Sequence, residues 1–144
     1  MVKRFLPHLK QQPEAGIVNV TSGLAFTPFP ISPVYSAAKA GLHSFTQSLR
    51  VQLKNTRIKV FELAPPAVET PLVNIFDASD AKGAPPPMKV DKLVDHAIRG
   101  MQRDRLQIMP GFSRMLNLLG RALPQLAVRL ASGPVDAMLA QTKS

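Results

Sequence analysis

The chain has 144 residues, the length of one ordinary domain, with 45% apolar residues and a formal net charge of +9. It contains no cysteine, which excludes a disulfide scaffold, a thiolate metal site and a cysteine nucleophile. The positive charge suits an anionic partner (a phosphate-bearing cofactor, a membrane surface or nucleic acid), but the charges are scattered, and a basic solvated surface is the simpler reading.

Along the chain, Phe5 to Gln12 reads as the end of a helix closed by Pro13 and Gly16. Ile17-Val18-Asn19-Val20-Thr21 is mostly β-branched and suits a strand buried on both faces of a parallel sheet. A loop from Gly23 to Ile31 follows. Ser32-Pro33 is a helix start, with Ser as N-cap and Pro at the first helical position. The helix should run to about Lys54, with Ala38, Leu42, Phe45 and Leu49 forming its apolar face. Arg50, Lys54, Arg57 and Lys59 gather around its end, where the helix dipole favours cations. No aromatic-interleaved basic motif accompanies them, so no nucleic-acid partner is expected.

Ile58 to Leu63 reads as a second strand, and strand–helix–strand implies parallel pairing. Ala64 to Pro87 is a long loop, a length that usually has a functional reason. Val90 to Gln102 is an amphipathic helix with Val90, Leu93, Val94, Ala97, Ile98 and Met101 on one side. Leu106 to Met109 suits a third short strand, and Phe112 to Gln141 is helical with breaks at Pro124 and Gly133-Pro134. The expected fold is α/β, a partial Rossmann-like doubly wound parallel sheet of about three strands with extra C-terminal helices. The chain is expected to be one partial domain: a catalytic core over residues 1–72, a substrate loop over 73–89 and a helical region over 90–144. No apolar run reaches the length of a transmembrane segment and the N-terminus is no signal peptide, so a cytoplasmic location is the default expectation.

The chemistry concentrates at the first strand–helix junction. Tyr35 and Lys39 are four apart near a helix start and share a face about one turn apart. Ser22 stands just past the preceding strand, at the mouth of the sheet where ligands of parallel α/β folds bind. A phenol is a poor base near neutrality, and a neighbouring ammonium favours its phenolate form. Tyr35 could then exchange a proton with an alcohol or carbonyl oxygen held by Ser22, with hydride transfer left to a nicotinamide cofactor.

Ile17 to Gly23 followed by Tyr35-Ser36-Ala37-Ala38-Lys39, with Ser22 and Tyr35 thirteen positions apart, resembles the short-chain dehydrogenase/reductase family. The resemblance covers about Phe5 to Leu72. It implies catalytic roles for Ser22, Tyr35 and Lys39, with Tyr35 and Lys39 also touching the cofactor, NAD or NADP. It further implies that Pro65, Val68 and Thr70 contact the nicotinamide carboxamide, although Pro66 stands where the family usually has Gly. The expected partners are a small-molecule carbonyl or alcohol substrate and, through helix 32–54, a second copy of the chain. No Gly-x-Gly occurs among the eight glycines, so the resemblance is to a C-terminal portion lacking the family's Gly-rich cofactor-binding half.

Other readings come from different classes. One is a non-catalytic chain that associates with a related full-length subunit through helix 32–54. Another is a basic amphipathic binder of anionic membrane surfaces through Phe112 to Leu130, although Leu116, Leu119, Leu123 and Leu126 are more simply read as covering the core. His8, His43 and His96 form no ligand-spaced pair, so no metal site is expected. Asp77 and Asp80 read as solvated loop residues, and Ser22 has no His–Asp set that would make it a hydrolase nucleophile.

Overall fold

The computed structural model describes residues 2–71 and 85–141. The elements are α1 (Val2–Lys10), β1 (Ala15–Val20), a 3-10 turn (Gly23–Ala25), α2 (Pro33–Leu53), β2 (Ile58–Leu63), α3 (Val90–Gln102), β3 (Gln107–Ile108), α4 (Phe112–Ala122), α5 (Pro124–Ala131) and α6 (Gly133–Gln141). Helix–strand alternation produces a three-stranded sheet in the order β1-β2-β3, with both pairs parallel. Ile17 lies opposite Val60 and Asn19 opposite Glu62, so the alternation of side chains puts all four on one face.

That face carries α1 and α2. Leu49 and Leu53 of α2 pack on Ile58 and Val60, and Leu6 and Leu9 of α1 join them. The opposite face carries α3, where Ala97, Leu93 and Met101 close over Leu63 and Ile108. Helices on both faces of a parallel sheet give the expected partial Rossmann-like arrangement. Among the described residues, no helix is long and apolar enough to cross a membrane. The expected substrate loop, 73–89, lies mostly outside the described residues, as do Asp77 and Asp80.

The elements fall close to their expected places, with differences at the ends. β1 starts two residues earlier than the β-branched run suggests, because the parallel ladder begins at Ala15 opposite Ile58. Ser32 and Pro33 begin α2 as expected, yet the Ser32 hydroxyl makes no capping bond; Ser36 Oγ accepts from Phe29 N instead. Four apolar faces need correction. On β1, Val18 and Val20 are exposed, so the strand is not buried on both faces. On α2 the buried residues are Ser36, Thr46, Leu49 and Leu53, while Phe45 is 45% exposed and Ala38 also faces outward. The helix sits on the sheet through a stripe rotated away from Ala38, Leu42 and Phe45, because polar residues in that stripe bond to the sheet. On α3, Val90, Val94 and Ile98 are exposed and only Ala97 of the expected face is fully buried. On α5 and the turn before it, Leu123 and Leu126 are exposed rather than covering a core.

Candidate functional site

The site is assembled where β1 and β2 end together. Ser22 leaves β1 in extended backbone (φ −164°, ψ 158°) and caps the 3-10 turn, its Oγ accepting from Leu24 N at 3.1 Å. A hydroxyl has one donor and two acceptor positions, so this bond occupies an acceptor position and not the proton. Gly23 N donates to Pro65 O at 2.8 Å, tying the loop after β1 to the loop after β2.

Tyr35 and Lys39 lie one turn apart in the first half of α2, and both are partly buried. Lys39 Nζ sits 5.7 Å from the Tyr35 ring centroid, within the range of a cation–π contact. The same ammonium donates to Val20 O at 3.0 Å. Lys39 therefore bridges the phenol and the end of the strand that leads to Ser22. The structure thus brings Tyr35 and Lys39 together and anchors Lys39 two residues before Ser22.

The segment after β2 has its own anchor. Met88 N donates to Ala67 O at 2.8 Å and Glu69 N to Met88 O at 2.9 Å, forming a parallel bridge centred on Val68. Thr70 is exposed, and its Oγ1 donates to Val68 O at 3.3 Å. Pro65, Val68 and Thr70 thus occupy one short ordered segment, joined to the Ser22 loop through Pro65. Pro66 stands within it without a cis peptide bond.

Beyond the expected residues lies a buried polar cluster under α2. Glu62 is fully buried in the central strand. It accepts from Thr21 Oγ1 at 2.8 Å, and His43 Nδ1 lies 2.8 Å and 3.0 Å from its two oxygens. Gln107 Nε2 donates to it at 3.3 Å, and Arg50 Nη2 lies 4.0 Å away. Asn19 donates to Thr46 at 2.9 Å on the same face. Arg50 also donates to Val60 O at 2.9 Å and to Leu106 O. Burial pushes the Arg50 guanidinium down from its ordinary value, and the charge of Glu62 partly restores it. The available sequence signal was Glu62 itself: a carboxylate inside Val60-Phe61-Glu62-Leu63 must find partners when buried.

A shallow apolar depression of about 300 Å³ lies beside this site, walled by Leu24, Phe26, Phe29, Pro33 and Ala37. It belongs to the loop after Ser22 and to the opening turns of α2. Helix α4 closes over the same loop: Thr27 Oγ1 donates to Leu116 O at 3.1 Å, and the buried Ser113 lies against Gly23.

A family model described as short chain dehydrogenase matches residues 1–80. The match falls on the N-terminal region of this chain and does not bear out the expectation that it represents a C-terminal family portion. The uncharacterized oxidoreductase DltE of Bacillus subtilis is 60% identical over 68 residues, covering 47% of this chain and 27% of that protein. A short-chain dehydrogenase from Burkholderia cenocepacia, solved in complex with NADP, superposes with a TM-score of 0.76 at 26% identity, over 90% of this chain and 54% of that one. The bulky-bulky ketone specific alcohol dehydrogenase from Comamonas testosteroni matches with a TM-score of 0.62 at 28% identity, over 83% of this chain and 45% of its own. The chain thus spans about half the length of these solved relatives, and its aligned stretch spans about a quarter of the Bacillus protein.

Proposed function

The chain belongs to the short-chain dehydrogenase family, and from that premise we propose that it carries the proton-transfer side chains of an NAD(P)-dependent oxidoreductase interconverting a small-molecule carbonyl and its alcohol. The observation that supports this most is the Lys39 ammonium lying between the Tyr35 ring and the Val20 carbonyl. When bound, the nicotinamide group supplies the hydride. In this reading Tyr35 and Lys39 would hold the nicotinamide ribose, and Pro65, Val68 through its backbone and Thr70 would meet the nicotinamide carboxamide.

In the reductive direction, Ser22 Oγ–H donates to the substrate carbonyl oxygen and holds it beside Tyr35. Tyr35 gives its phenolic proton to that oxygen, and the Lys39 ammonium stabilises the negative charge left on the phenol. The oxidative direction reverses each proton movement. In this reading residues 73–89 are the substrate loop, and the catalytic core of residues 1–72 forms one domain with the helical region of 90–144. The absence of cysteine suits a cytoplasmic setting.

The test is NADPH oxidation by the purified chain with acetophenone as the probe ketone. General acid–base catalysis contributes about 10²–10⁴-fold, so Tyr35→Phe should lose turnover by that factor. NADPH affinity should stay nearly intact, because the phenyl ring and Lys39 remain. Full turnover in Tyr35→Phe refutes the proton-transfer role.

One observation favours a second role for α2, as a surface that meets another copy of the chain. Val34 and Phe45, about three turns apart and so on one side of the helix, are 80% and 45% exposed. Phe45→Glu should lower the sedimenting mass, and an unchanged mass rejects that role.

A further inference from the structure

The half of α2 that carries Tyr35 and Lys39 rests on the sheet through polar side chains, and one of them, His43, bonds the buried carboxylate of Glu62. Reading along the helix, Lys39 bonds Val20 O, His43 meets Glu62, and Thr46 meets Asn19. Only with Leu49 and Leu53 does the seat become apolar. Glu62 is therefore the point where all three strands meet the helix: Thr21 just beyond β1, Glu62 within β2, Gln107 in β3 and His43 on α2.

A carboxylate removed from water costs several kcal/mol, as an order of magnitude, before any partner is counted. A leucine at this position would fill the same space without that cost. What the carboxylate adds is direction. Its oxygens accept along fixed lines, whereas apolar contacts tolerate sliding. Gln47 Nε2 donates to His43 Nε2 at 2.9 Å, which makes that nitrogen an acceptor and leaves Nδ1–H to donate to Glu62. The edge-on ring of Phe26, 5.0 Å away at 81°, holds the imidazole from the loop side.

The two ends of this knot lie beside the reacting groups. Thr21 directly precedes Ser22, and His43 is one helical turn beyond Lys39 and two beyond Tyr35. We propose that Glu62 is a positioning residue, whose buried carboxylate fixes the strand end bearing Ser22 against the helix bearing Tyr35 and Lys39. Its functional meaning rests on the proton-transfer reading above, but its geometric claim stands apart from it.

The experiment compares ¹H–¹⁵N spectra of the purified 144-residue chain with those of Thr21→Val, Thr21→Ser and Glu62→Gln. Thr21→Val keeps the side-chain shape and removes only the hydroxyl that donates to Glu62. Its amide signals should shift and broaden at Ser22, Gly23, Leu24 and Lys39, while those of α3 stay in place. Thr21→Ser, which keeps the hydroxyl, should restore them. Glu62→Gln should give the same pattern more strongly, and if it does not fold, Thr21→Val decides the matter. With NADPH and acetophenone, Thr21→Val should lose about 10- to 100-fold in kcat, the scale of a small misplacement of reacting groups, with KM for NADPH unchanged. Signals at residues 22–24 and Lys39 that match the parent chain, or changes spread evenly over the sheet, overturn the proposal. If the parent chain gives no turnover, the catalytic reading fails while the spectra still decide the role of Glu62.

Discussion

Two helical glycines should respond to alanine in opposite directions, and the pair tests how α4 is held against the loop that follows Ser22. A Cβ on Gly120 would overlap the Phe26 carbonyl oxygen and lie 3.0 Å from both the Phe26 carbonyl carbon and Thr27 Oγ1. The nearest obstacle is backbone, so no rotamer change relieves it. Either α4 or the loop must move, and the Thr27–Leu116 hydrogen bond is in the path. Overpacking of this kind costs about 1–3 kcal/mol. Losing the hydrogen bond adds about 1 kcal/mol, and the better helix propensity of alanine returns about as much. The net expectation for Gly120→Ala is a loss of about 1–3 kcal/mol, or roughly 3–10 °C in Tm for a chain of this size. Gly41, on the exposed side of α2, has nothing within 4 Å of its added Cβ. Gly41→Ala should therefore gain up to about 1 kcal/mol from helix propensity alone. Thermal unfolding followed by circular dichroism at 222 nm, the usual helix wavelength, reads both. A Gly120→Ala variant as stable as the parent, or stabilised like Gly41→Ala, would show that α4 does not press on the loop as described.

Arg50→Met should destabilise the chain by about 1.5–3 kcal/mol in urea unfolding, because a charged donor to the carbonyls of Val60 and Leu106 is lost. An unchanged midpoint would mean that those carbonyls find other donors. Lys59 is held above its ordinary range, chiefly by its hydrogen bond to Asp104. A raised folded-state value contributes stability that is fully present below the ordinary lysine range and is lost as pH rises through the raised value. The Tm difference between the parent and Lys59→Met should thus be small and constant at neutral pH, since both partners are exposed, and should shrink in strong alkali. A difference that grows with pH contradicts that sign.

Much of the scaffold could be read from residues alone because its signals are local. Ser32-Pro33 announces a helix start, and the bounds of β2 and α3 follow from apolar runs closed by polar or turn residues. Tyr35 and Lys39 meet because four positions on a helix make one turn, whatever lies around them. What was not legible depends on the partner across the gap. The stripe 38, 42, 45, 49 looks like the packing face of α2 when hydrophobicity is the only guide. The sheet beneath presents Asn19, Thr21 and Glu62 at that end, so the stripe that meets it must carry His43 and Thr46. Hydrophobic periodicity carries no information about polar complementarity between elements far apart in sequence.

That complementarity also joins the two ends of the chain. Gly120 lets α4 lie directly on the Phe26 carbonyl, and the Phe26 ring meets His43 edge-on. His43 in turn bonds Glu62, which holds Thr21 next to Ser22. These contacts run from α4 to Thr21, so a displacement of α4 has a route to Ser22 that avoids the apolar core. If this route carries strain, Gly120→Ala should disturb the Ser22 and Lys39 amide signals at temperatures well below its own unfolding, in the pattern expected for Thr21→Val. If Gly120→Ala lowers Tm yet leaves those signals where they were, the α4 contact contributes stability alone, and the Glu62 knot fixes the site without help from the C-terminal helices.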